Sequence, residues 1–387
     1  MIAEKMIDDY FSSRKCTLLG VGPMSLNCID AAIDLAHIRN TPLFLIASRR
    51  QIDSCEFGGG YVNNMDTATF ADYVRARDKD KKIILARDHG GPWQQPVEVN
   101  KGLNLKEAMA SAKRSYMADI DAGFEVLHID PSIDIFAEPS TDEVLERIFE
   151  LYEFCWSYAC QQGRQISFEI GTEEQSSNTD TLKELDYTID KTLKFCEKNQ
   201  LPKPKFVVAQ TGTRVMEDMN VGVVSQSNLL LEDDNAHRQS INEVIHICNK
   251  HGIMLKQHNT DYLDSQTLSQ HPQLGLHAAN VAPEFGVCET NALVKILEKY
   301  GLDTLRDDFL TLSHDSGKWQ KWMLPHSQAS DEKKAIICGH YLFSNPQFIE
   351  IKEKASSLLH KKNIDLNNFL YSCVRGSIER YMDCFGL

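Results

Sequence analysis

The side chains best suited to chemistry lie at the ends of short apolar runs. KIILARDHG (82–90) is β-branched and apolar until Arg87-Asp88-His89-Gly90-Gly91-Pro92. A charged pair in such a place is costly to bury unless something uses it. A neutral ring nitrogen of His89 can bind a metal ion. Asp88 can move a proton or orient a ligand. The plainer reading is a capping aspartate beside a surface histidine. ISFEIGTEE (166–174) adds Glu169 and Glu173, and IMLKQHNTD (253–261) adds His258. His89, Glu173 and His258 together offer two nitrogens and one carboxylate. That set suits zinc or a similar divalent ion with an open coordination position. Such an ion polarises a carbonyl and stabilises an enediolate, which serves aldol cleavage or condensation and epimerisation alike. Asp88 and Glu173 are the expected catalytic groups.

Other run ends supply polar groups. In FEVLHIDPS (124–132), His128 and Asp130 fall two apart and share a strand face. They either face a site or satisfy each other. LGLHAANVA (274–282) carries His277, expected in the core, and Asn280, a natural partner for a substrate hydroxyl. Arg49, Arg50, Arg87 and Arg214 can meet a carboxylate or a phosphate, or stay solvated. The expected substrate-binding set is Arg49, Arg87, Asp130, Gln210 and Asn280.

These residues need a scaffold that gathers strand ends. Eight apolar runs begin near residues 17, 42, 82, 124, 166, 206, 253 and 274. Helical patterns fall between them, at 66–78, 104–122, 141–162, 180–198 and 237–251. Near-continuous apolar strands belong to a parallel sheet covered on both faces. Eight such units predict an α/β fold closed as a (β/α)8 barrel, with function at the C-terminal strand ends. After residue 290 the strands stop. The expectation is a TIM-barrel domain over 1–305 and a C-terminal helical extension over 306–387, packed on the barrel.

The bulk properties exclude several classes. With 387 residues, 42 % hydrophobic and 25 % charged, the chain can bury a large core. A net charge of −14 argues against nucleic acid as a partner, although a pocket can be locally basic on an acidic protein. Eleven scattered cysteines with no CxxC pair read as reduced thiols. MIAEKMIDDYFSSRK does not resemble a secretory leader, and no apolar run reaches the roughly 20 residues of a membrane span. The expected location is the cytoplasm, with no membrane partner. GVGPMSLNC is not GxGxxG, and there is no GxxxxGK[ST] phosphate loop.

Several motifs match a known family in order and spacing. They are FGGGYVNNMDTATFADYV (57–74), ARDHGGPWQ (86–94), AGFEVLHIDPS (122–132), IGTEEQ (170–175), QHNTDY (257–262) and APEFGVCETNAL (282–293). On these the chain resembles the non-catalytic subunit family of class II D-tagatose-bisphosphate aldolase, also labelled tagatose-6-phosphate kinase. The resemblance runs from about residue 17 to residue 325. It implies a class II aldolase-like barrel, with Asp88 as acid/base, His89 as metal ligand, and Glu173 and His258 as further ligands. It implies a sugar or sugar-phosphate substrate and an oligomer. A related branch is similar to a metal-dependent uronate epimerase, so epimerisation is one alternative. The other is a non-catalytic subunit that stabilises a partner class II aldolase. The chain departs from the pattern at Ala47-Ser48-Arg49-Arg50, where an acidic residue is expected. It departs again at Gln210, where class II aldolases supply a metal-binding histidine.

Overall fold

The computed structural model describes residues 2–171, 179–209, 211–222 and 234–387. Eight parallel strands close into a barrel. They are β1 (Leu18–Val21), β2 (Leu43–Ser48), β3 (Ile83–Gly90), β4 (Val126–Ile129), β5 (Ser167–Gly171), β6 (Phe206–Ala209), β7 (Met254–Gln257) and β8 (Ala278–Val281). β8 pairs back onto β1, with Leu18 opposite Ala278 and Val21 opposite Val281. Almost every strand residue is buried, because helices cover the outside and side chains fill the inside. The (β/α)8 barrel expected from the eight apolar runs is the observed fold.

The strands are shorter than the runs that announced them. β4 ends at Ile129 and β7 at Gln257, so Asp130 and His258 already belong to the loops above the barrel. Several helices around it start at side-chain caps. Ser25 accepts from the Cys28 N–H, and capping boxes form at Asn104 with Glu107 and at Ser140 with Glu143. Inside the barrel, Lys256 pairs with Glu169, and its ammonium lies 4.2 Å from the Phe44 ring centroid. Paired and hydrogen-bonded, these charges tolerate burial.

The helices of the C-terminal region pack on the barrel. The final helix, Leu366–Phe385, lies against helix Leu26–Ile38, helix Ser265–Leu274 and β1. It thus fills the eighth helical place around the barrel. Its Val374, Ile378, Tyr381, Met382 and Phe385 belong to the barrel's own core. A second, smaller core mixes Leu293 and Leu297 with Phe309, Phe348 and Leu359, spanning the same boundary. The packing is therefore continuous across residue 305. All eleven cysteines are free thiols. Among the described residues, no helix is long and apolar enough to cross a membrane.

Candidate active site

Consecutive residues of a regular strand point to opposite faces, so Asp88 and His89 should diverge. They do not. The register of β3 against β4 shifts between Arg87 and Gly90, and His89 adopts a left-handed φ of 46°. This bulge turns both side chains toward the same cavity. Gly90 and Gly91 permit the close packing behind it. A Cβ at Gly90 would strike the Tyr116 ring, and one at Gly91 would strike the Asp130 carbonyl.

His258 follows β7 directly, and its N–H donates to the Ala209 carbonyl at 3.1 Å. There it meets the β3 pair. His89 Nε2 lies 3.6 Å and His258 Nε2 3.9 Å from Asp88 Oδ2. The imidazole centroids are 4.6 Å apart. Burial alone would raise the Asp88 carboxyl. The charges and hydrogen bonds of His89, His128 and His258 outweigh it and hold Asp88 well below the usual carboxylate range.

The three groups fit a metal ion. One ligand atom from each of Asp88, His89 and His258 lies within 4.8 Å of the others. Ligands on a tetrahedral ion with bonds of about 2.0 Å stand about 3.3 Å apart, close to the two spacings measured from Asp88. The support behind His89 also fits. Its Nδ1 lies 3.2 Å from Asp130 Oδ2, and that carboxylate accepts from Gln94 Nε2 at 3.0 Å and Ser132 Oγ at 2.6 Å. A carboxylate on the far ring nitrogen is the usual way to orient a ligating histidine.

The cavity above these groups measures about 230 Å³. Asp88, His89, His258, Asn280 and Arg49 line it. Asn280 Nδ2 donates to Asp88 Oδ1 at 3.4 Å. Two expected substrate contacts need correcting. Arg87 is 1 % exposed, bonded to Asp119 and to the Ala47 and Ile52 carbonyls, and does not line the cavity. Asp130 is fully buried and turned to His89 rather than to the cavity. Arg49 borders the cavity, but its guanidinium is held by Asp53, Glu98 and the Gly91 carbonyl. Glu173 and Gln210 lie outside the described residues. His277 sits just before β8, far below the strand ends, and accepts from the Leu255 N–H.

Other contributors had no sequence signal as strong. His128 Nδ1 lies 3.6 Å from Asp88 Oδ1 and accepts from the His89 N–H at 3.3 Å. His128 and Asp130 thus serve different neighbours rather than each other. Asp261 also lines the cavity, with Oδ1 accepting the Ala282 and Glu284 N–H groups at 2.9 Å each. Burial, then the nearby Glu284 charge, push its carboxyl up to about 7. Lys321, Trp322 and Tyr341 reach the cavity from beyond residue 305.

The model of a family described as D-tagatose-1,6-bisphosphate aldolase subunit GatZ/KbaZ-like matches residues 4–317. Among solved structures, the chain is similar to a probable tagatose 6 phosphate kinase from Sinorhizobium meliloti 1021. The TM-score is 0.71 at 18 % identity, covering 95 % of this chain and 100 % of that one. A fructuronate-tagaturonate epimerase from Cohnella laeviribosi gives a TM-score of 0.56 at 12 % identity, over 96 % of this chain and 82 % of that one. A fructose-bisphosphate aldolase from Campylobacter jejuni gives 0.52 at 12 % identity, over 99 % and 94 %. At these identities the likeness is one of fold.

Proposed function

The chain belongs to the D-tagatose-1,6-bisphosphate aldolase subunit GatZ/KbaZ-like family, and on that premise we propose that it is a divalent-metal-dependent enzyme of aldolase type acting on a sugar or sugar phosphate. The observation that carries this reading is the convergence of Asp88, His89 and His258 in one cavity. Asp88, His89 and His258 lie within reach of one ion; with Glu173 as third ligand on its place in the sequence, His89 and His258 would hold the ion and leave Asp88 beside it as the base. The mixed nitrogen and oxygen donors favour zinc. A bound ion would polarise a substrate carbonyl and draw charge as a proton leaves.

The protein's own groups divide the remaining work. Asp88 stays ionised and is the base. Taking a proton from a hydroxyl two carbons from the carbonyl leads to aldol cleavage. Taking it from the adjacent carbon leads to epimerisation. After cleavage the same carboxyl can return the proton to the enediolate carbon. Asn280 steadies Asp88 and offers an amide to a substrate hydroxyl. Asp130 keeps His89 oriented. The epimerase alternative shares these residues but also needs a proton donor on the opposite face of the enediolate. Eleven free cysteines support a location in the cytoplasm.

Metal analysis of the purified protein tests the reading. We expect about one divalent ion per chain in the wild type and loss of most of it in His89→Ala and His258→Ala. A wild type with no bound metal, and no activity on adding Zn²⁺, Mn²⁺ or Co²⁺, sinks the proposal. The family description as an aldolase subunit favours a second reading, in which the chain stabilises a catalytic class II aldolase. Co-purification with such an aldolase, with no activity of its own, is the outcome that selects it.

A further inference from the structure

The cavity has a second chemical pole, cationic and, among the described residues, without a counter-ion. Arg50, two residues past β2, and Lys321, on the short helical turn Gln320–Trp322, both line it. The Lys321 ammonium lies 4.7 Å from the Trp322 ring centroid and 5.2 Å from that of Tyr341. Lys318 approaches the same Tyr341 ring at 5.5 Å. Among the described residues, no carboxylate lies within 4.0 Å of any of these three cations.

That absence is informative in this chain. It holds 55 Asp and Glu against 41 Lys and Arg, so carboxylates are plentiful. Neighbouring Arg49 shows the ordinary outcome, a guanidinium sealed between Asp53 and Glu98. Arg50 instead shares a cavity wall with Lys321, and like charges gathered this way repel unless an anion joins them. A guanidinium fork beside a point-charge ammonium matches the several acceptor oxygens of a phosphate or carboxylate.

We propose that Arg50 and Lys321 form a subsite for the anionic end of the substrate, in the same cavity as Asp88, His89 and His258. The inference rests on reading that cavity as a sugar site, and it narrows the substrate to a sugar phosphate or a sugar acid. It also gives the segment beyond residue 305 a direct part in binding. The barrel supplies the reacting groups and Arg50. The C-terminal segment supplies Lys321 and the aromatic rings that border it.

Calorimetric titration of the full-length protein with inorganic phosphate, and separately with D-glucuronate, tests it. Titrations are run on metal-loaded protein and on protein stripped with phenanthroline, because either anion can also bind a metal. At least one probe should bind both forms. Arg50→Gln and Lys321→Gln should each weaken that binding about tenfold, the loss expected for a charged hydrogen bond. Their melting temperature and metal content should match wild type, since both residues are exposed. Binding of phosphate alone identifies a sugar phosphate, and of glucuronate alone a sugar acid. No anion binding to the stripped wild type, or binding unchanged in either variant, overturns the subsite. Failure of the metal reading shows separately, as metal-free wild type that still binds the anion through Arg50 and Lys321.

Discussion

Asp130 holds His89 at Nδ1, so Nε2 is the ring nitrogen left to face Asp88 and His258. The sequence presented Asp130 as a substrate contact because it shares a strand face with His128. Burial and the hydrogen bonds from Gln94 and Ser132 make it a positioning residue instead. Arg87 followed the same course: the pattern showed a charge at a strand end, but not the Asp119 waiting behind it. Asp261 allows a test at this scale. Its carboxyl is pushed up to about 7, so the folded state holds its proton more tightly than the unfolded chain does. Its contribution is then complete below about pH 4 and is lost as pH rises toward 7. Wild-type stability should fall across that window by up to about 4 kcal/mol, at roughly 1.4 kcal/mol per unit. Asp261→Asn should flatten the decline, as followed by urea unfolding at several pH values. An unchanged slope would show that Asp261 does not titrate there.

Among the elements, the bulge at the end of β3 matters most. Strand alternation by itself would send Asp88 inward and His89 outward. The left-handed turn at His89 brings them together, and the two glycines make room for it. The sequence marked this place through Gly90-Gly91-Pro92, but period-two reasoning could not say which way either side chain turns. Gly91→Ala should push the turn off the Asp130 carbonyl. We expect a loss of about 1–3 kcal/mol in stability, the usual range for overpacking, and a lower metal content measured on the same sample. A variant with normal metal content would show that the bulge is not what aligns His89. The strand ends were legible because parallel strands need long apolar runs. Their final residues were not, because β4 and β7 stop where the chain turns to build the site.

The whole molecule depends on a helix far from the barrel in sequence. Leu366–Phe385 completes the helical ring, and its Arg380 and Tyr381 bind Glu284, which also accepts the Tyr262 N–H. The last helix thereby braces the loop that follows His258. A chain ended at residue 305 should expose the apolar faces of β1 and helix Leu26–Ile38. We expect it to be insoluble or to lack a cooperative melting transition, as checked by circular dichroism. A cooperatively folded fragment would show that the final helix is dispensable.

The sequence by itself determined the eight-stranded barrel, since period and apolar length are local properties that a parallel sheet requires. It also determined that Asp88, His89, His258 and Asn280 stand at strand ends, because closing the barrel places those ends on one face. Tertiary structure alone decided which charges are used and which are neutralised. Arg49 and Arg50 are adjacent, of the same type and both border the cavity, yet one is sealed by carboxylates and the other, among the described residues, has none within 4.0 Å. It also decided that Lys321 and the final helix return to the barrel. Both are long-range contacts, set by where the chain comes back rather than by any pattern along it.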